Sequence, residues 1–400
     1  METTTYKISD IGEVVGGGTP STANSDFWGG DIPWISPKDL TGYKSVYISH
    51  GENFLTKTGL KSGTKLLPKG TVLFSSRAPI GYVAIASNPI CTNQGFKSII
   101  CNKEIINPLF LYYYIKGNLD YIKLFGTGAT FPEISGAAMR KIKVQIPSIP
   151  TQQKIASILS SYDRLIENNT RRIRLLEQMA ENLYKEWFVR FRFPEHEKVE
   201  MVNGLPKGWE RTVASSIIDV MSGGTPKTDH PEFYGGNIPF YTPKDANDSI
   251  FVYNTLTNIT EEGLTHCNSQ LYPRNTLIIT ARGTVGKLNL LAVPMAMNQS
   301  CFALQFKQKE NPFFLYYAIR TEIAKLKKIA NGGVFDTIIV KSFDHIKLII
   351  PTRSLMDNFN LKVYSILEQV RNLSYQNQLL THQRDLLLPR LMSGKLEVKS

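Results

Sequence analysis

The sequence predicts an α+β protein: two duplicated, mixed α/β globular domains joined by two long helices that pair as an antiparallel coiled coil with pseudo-twofold symmetry. Three observations predict it. A Gly-Gly-Thr-Pro opening recurs half a chain later, and a heptad seam follows each copy. The runs in between are short, β-rich and punctuated by Gly, Pro and Asn. At 400 residues the chain is also too long for one ordinary core.

The first domain is read over residues 1–150. It opens with Gly17-Gly18-Thr19-Pro20 and runs through Gly29-Gly30-Asp31-Ile32-Pro33 to Pro37-Lys38-Asp39. Gly223-Gly224-Thr225-Pro226 begins the same passage in the second domain, read over 194–353, and 13 of the 23 aligned positions are identical. The echo continues through Arg77 and Arg282, Asn93-Gln94 and Asn298-Gln299, and Tyr112-Tyr113 and Tyr316-Tyr317. A period this long is a tandem duplication, not a solenoid. Within the first copy, Thr71–Ser75, Tyr82–Ala86, Ser98–Cys101 and Ile142–Ile146 read as strands of an irregular, mostly antiparallel sheet. One good helix interrupts them in each copy, Pro108–Leu119 and Pro312–Lys328, whose paired tyrosines read as core.

The helical segments are read over 151–193 and 354–400. Ile155, Leu159, Tyr162, Ile166, Asn169, Ile173, Leu176, Ala180, Leu183 and Trp187 alternate by four and three. So do Phe359, Val363, Ile366, Val370, Leu373, Asn377, Leu380, Arg384, Leu387 and Leu391. That spacing, with charged flanks, is a coiled-coil seam. With Ile155 opposite Leu391 in an antiparallel pair, Asn169 falls opposite Asn377, and a buried polar pair there would fix register. The helices are expected to begin near Thr151 and Ser354, the latter with Asp357 as a capping box. Pro389 is expected to kink or end the second. A helix of about 33 residues is roughly 50 Å long, enough to hold two domains apart by one to one and a half turns of B-DNA.

Composition narrows the class. The net charge is +12, with +5 in residues 1–150 and +2 or +3 in each remaining segment, so the excess is a property of folded surface and suits a polyanion. No apolar run is long enough to span a bilayer, and Met1–Asp10 is too polar for a signal peptide. Cys91, Cys101, Cys267 and Cys301 have neither zinc nor disulfide-framework spacing, and the six histidines show no metal spacing. A cytoplasmic location is the simplest expectation.

Catalytic motifs are near misses. Gly16-Gly17-Gly18-Thr19 is followed by proline and not by the lysine of a P-loop. Asn237-Ile238-Pro239-Phe240 lacks one proline of an amino-methyltransferase motif, and Phe125-Gly126-Thr127-Gly128 falls short of a cofactor loop. No catalytic or metal residue is therefore assigned.

Together with Trp187-Phe188-Val189-Arg190-Phe191-Arg192-Phe193-Pro194 and Leu387-Leu388-Pro389-Arg390-Leu391-Met392-Ser393-Gly394, the duplicated motifs resemble the DNA-specificity subunits of type I restriction–modification enzymes, over essentially the whole chain. The resemblance implies two target-recognition domains, each reading half of a bipartite double-stranded DNA target. It implies helices that set the spacing and dock methyltransferase subunits. S-adenosylmethionine, ATP and Mg would belong to partner methyltransferase and motor–endonuclease subunits, with no cofactor in this chain. A specificity protein with its own methyltransferase activity and a purely structural coiled-coil scaffold are the alternatives.

Candidate DNA contacts are Lys38 and Lys244 for phosphate, Arg77 and Arg282 for phosphate or guanine, and Asn93, Gln94, Asn298 and Gln299 for adenine edges. Residues kept in both copies cannot discriminate two different half-sites, so a folding role competes with each assignment. Base readers are expected where the copies differ, such as Tyr43–Lys65 against Asn247–Asn268.

Overall fold

The computed structural model describes residues 2–128, 132–329 and 337–398. It forms two compact units, Met1–Asn168 with Asn377–Ser400, and Asn169–Gln376. The division cuts through both long helices, not at their starts. Each unit is thus one globular domain with the adjoining half of each helix.

In unit 1 a five-stranded sheet runs in the order Gly12–Gly16, Lys97–Cys101, Val72–Phe74, Val83–Ala86, Tyr47–Ile48. All its pairings are antiparallel except the last. A second sheet places Trp28–Ile35 between Asn53–Leu55 and Cys91–Thr92, the latter parallel to it. Thr4–Lys7 pairs with Lys143–Ile146 and closes the domain just before the central helix. Unit 2 repeats this arrangement strand for strand. Its large sheet runs Ile218–Ser222, Cys301–Phe306, Leu277–Thr280, Leu288–Leu291, Phe251–Val252, and its small one places Tyr234–Tyr241 between Asn258–Ile259 and Ala296–Met297. Leu and Ile dominate the central strands of the two large sheets, as a surface buried on both faces requires.

The helix expected in each copy is present as Pro108–Gly117 and Pro312–Ile329. Asn107 starts the first by accepting from the N–H groups of Leu109 and Phe110, and Pro at N1 suits that position. The expectation of a single helix per domain falls short. Ile8–Ile11, Lys57–Lys61, Leu119–Lys123 and Gly136–Lys141 are helical as well, in segments too short to show a hydrophobic period.

The long helices are Ile149–Tyr184 and Arg353–Met392. The second starts one residue before Ser354, so Ser354 lies inside the first turn and does not cap it. Pro389 does not end this helix. Asp385, whose carbonyl loses its partner, is exposed, while Leu391 and Met392 beyond the proline are buried in the core of unit 1. That burial outweighs one lost hydrogen bond.

Antiparallel pairing is visible within each unit. In unit 1, Ile155 and Leu159 share a core with Leu387, Leu388 and Leu391, and Asp163 meets Arg384 at 2.5 Å. In unit 2, Ala180, Tyr184 and Trp187 pack with Phe359, Val363, Leu367 and Val370, and the rings of Trp187 and Phe359 lie 6.0 Å apart. The seam departs from the expected one at Leu367, which is fully buried where Ile366 is only partly so, because the helix also faces its own domain. Asn169 is buried.

The two layers flanking the seam differ between units. Asp163 also accepts a hydrogen bond from the Tyr113 hydroxyl. At the equivalent places in unit 2 stand Leu367, Ala180 and Tyr317, and the Tyr317 hydroxyl has no hydrogen-bond partner among the described residues.

Candidate nucleic-acid interface

In each unit the shared polar residues gather where strand ends run side by side. Trp28–Ile35 leads into Ser36-Pro37-Lys38-Asp39, and its parallel neighbour Cys91–Thr92 leads into Asn93-Gln94. Val72–Phe74 leads into Ser75-Ser76-Arg77 beside them, with the Ser76 N–H donating to Gly95 O at 2.7 Å. A Cβ on Gly95 would lie 3.3 Å from Pro37 Cγ and 3.7 Å from Arg77 Cγ, so all three loops touch there. Unit 2 has the same convergence, with a Cβ on Gly283 placed 3.7 Å from Pro243 Cβ. Sequence-distant candidates thus share one surface in each unit.

Asp39 builds the Pro-Lys-Asp turn. Its carboxylate accepts from the Ser36 N–H and hydroxyl, both at 2.7 Å, and from the Glu52 N–H at 2.8 Å. Asp245 does the same with the Thr242 N–H at 2.8 Å, the Thr242 hydroxyl at 2.7 Å and the Leu256 N–H at 2.7 Å. The aspartate is therefore a scaffold, and the lysine before it points into solvent. Lys38 nevertheless pairs with Glu52 at 2.9 Å, and that hydrogen bond raises the pKa of its ammonium above the usual lysine range. Lys244 is exposed and has no ion pair among the described residues.

Arg77 reaches Glu133 at 3.4 Å, and Lys97 takes the other oxygen of the same carboxylate at 3.2 Å. Arg282 is exposed, with no ion pair among the described residues.

The Asn-Gln pairs divide their labour. Asn93 accepts the Gly95 N–H at 2.9 Å, and Asn298 accepts the Ser300 N–H at 3.1 Å, so each closes its own turn. The exposed Gln94 and Gln299 take hydrogen bonds from the hydroxyls of Thr19 and Thr225, tying them to the Gly-Gly-Thr-Pro loop. That loop needs glycine for a steric reason. A Cβ on Gly17 would sit 2.0 Å from Asn93 O, and one on Gly223 would sit 2.3 Å from Met297 O. Trp34 then donates its indole N–H to Gly18 O at 3.0 Å.

Much of what is duplicated therefore serves the turn architecture, while lysine, arginine and glutamine face outward. Glu52, Lys97 and Glu133 join the site without any motif that marks them in the sequence. Glu52 lies inside the divergent Tyr43–Lys65 segment. Glu133 is 56 residues from Arg77, and no local pattern links them.

Burial pushes the Cys91 thiol up to about 11 and the Cys101 and Cys301 thiols up to about 12, which removes them as thiolate nucleophiles at neutral pH. Among the described residues, no group of three or more His, Cys, Asp or Glu side chains could hold a metal ion, and no helix is long and apolar enough to cross a membrane.

The sequence profile of the type I restriction modification DNA specificity domain matches residues 1–178 and 206–381. The MjaIX type I restriction enzyme specificity subunit of Methanocaldococcus jannaschii is 36% identical, over 98% of this chain and 93% of its own length. The HindI specificity subunit of Haemophilus influenzae is 27% identical over 83% of this chain and 88% of its own. The crystal structure of a type I restriction–modification S subunit from M. genitalium superposes with a TM-score of 0.64 at 16% identity, covering 100% of this chain and 97% of that one, and shares its fold.

Proposed function

The chain belongs to the type I restriction–modification DNA specificity family and is a DNA sequence-specificity subunit, and from that premise we propose how it divides the task. Each globular domain reads one half of a bipartite double-stranded target. The paired helices space the two domains and dock methyltransferase subunits. Lys38, Arg77 and Gln94, with Lys244, Arg282 and Gln299, face the DNA. Asn93 and Asn298 shape the loops that present them.

One observation carries this reading above the others: a strand-for-strand duplication whose loops converge on an equivalent surface in each unit while the intervening sequence diverges. One framework then supports two different readings. The chain itself catalyses nothing. S-adenosylmethionine sits on the methyltransferase subunits, and ATP and Mg on motor–endonuclease subunits, all acting on DNA in the cytoplasm.

The test is methyl transfer from labelled S-adenosylmethionine to genomic DNA. Incorporation is expected only when this chain and a cognate methyltransferase subunit are both present. Incorporation by the purified chain alone would overturn the non-catalytic assignment.

A further inference from the structure

The two units share a lysine but not its neighbour. Glu52 and Leu256 occupy equivalent places, each donating its backbone N–H to the aspartate of its own Pro-Lys-Asp turn, at 2.8 Å and 2.7 Å. From that common anchor Glu52 turns its carboxylate onto Lys38 at 2.9 Å. Leu256 is 78% exposed and brings no charge to the turn that presents Lys244.

Among the described residues the contrast recurs at the second cation. Ile134 and Ile338 donate to Ser76 O at 3.0 Å and Ala281 O at 2.9 Å, the residues just before the two arginines. This aligns Glu133, which bridges Arg77 and Lys97, with the uncharged Thr337. In unit 1 the outward cations are thus already answered by carboxylates on the same surface.

Resting on the DNA-binding reading above, we propose that the position held by Glu52 in one unit and Leu256 in the other sets how firmly each unit grips the DNA backbone. Lys244 is a phosphate contact of unit 2, whereas Glu52 holds Lys38 off phosphate in unit 1. An exposed ion pair is weak in itself. The obstacle is what remains after it opens, because the carboxylate stays beside the incoming phosphate and repels it. Unit 2 has no such charge at Leu256. The subunit then holds DNA asymmetrically, with its non-specific electrostatic grip concentrated on unit 2.

The full chain is titrated onto a mixed-sequence duplex of about 30 base pairs by fluorescence anisotropy over a range of salt. Each phosphate contact steepens the fall of log K with log salt by about 0.9. Lys244→Ala is expected to flatten the wild-type slope by about 1, and Lys38→Ala by less than about 0.3. Leu256→Glu should reproduce the Lys244→Ala flattening. Glu52→Leu should steepen the slope by about 1 and make a subsequent Lys38→Ala as costly as Lys244→Ala. All four side chains are exposed, so the variants fold. Equal effects of Lys38→Ala and Lys244→Ala in the wild type, or no effect of Glu52→Leu, would overturn the masking by Glu52. If neither lysine moves the slope in any background, the phosphate-binding reading of these turns fails first and takes the proposal with it.

Discussion

Tyr113 and Tyr317 hold equivalent places in the two copies, both almost fully buried, yet one hydroxyl is bonded to the Asp163 carboxylate and the other has no partner among the described residues. A hydrogen bond to a charged group contributes more than one between neutral groups, and an orphaned buried hydroxyl costs its own desolvation. Tyr113→Phe should therefore destabilise the protein by about 2 kcal/mol, while Tyr317→Phe should lie within about 0.5 kcal/mol of wild type or above it. Chemical denaturation of the two variants checks this. Equal losses would mean that the duplicated tyrosines play one role. Their place on an apolar helix marks both tyrosines as core in the sequence. Which of them has a partner is not legible there, because Asp163 and Leu367 lie 50 residues further along the chain from them and differ between the copies.

At the scale of elements, the helix pair is built differently in its two halves. The Asp163–Arg384 pair has side chains only 9% and 15% exposed, and removing one partner of such a pair leaves an uncompensated charge. Asp163→Leu or Arg384→Ala alone should cost about 3–5 kcal/mol. Installing the whole unit 2 layer, Asp163→Leu with Arg384→Ala and Tyr113→Phe, should cost less than either single change. A triple variant whose loss equals the sum of the singles would contradict the coupling.

Both long helices are legible in the sequence because a heptad seam is a local, repeated signal. The helix running through Pro389 is not, since what decides it is the docking of Leu391 and Met392 in a core assembled from distant strands. The short helices near Ile8, Lys57 and Gly136 escape for the opposite reason, being too brief to show any period.

For the molecule as a whole, duplication is the fact from which the function follows. The self-similarity from Gly17 to Asp39 makes two domains legible from the amino-acid order alone. The echo beyond that stretch marks Arg77, Asn93 and Gln94 together with Lys38 as a group, and the fold brings their loops to one surface. Their individual roles are not legible in the same way. Asn93 closes a turn, and the carboxylates engaging Lys38 and Arg77 come from Glu52 and from Glu133, far along the chain.

In the proposed role this chain supplies sequence specificity to a modification complex, one half-site per domain. Methylome sequencing tests it most directly, in a host carrying the cognate methyltransferase subunit with this chain and in one lacking only this chain. A bipartite adenine-methylated motif, two short defined halves around an undefined spacer, is expected only when the chain is present. A methylation pattern unchanged by its removal would contradict that role.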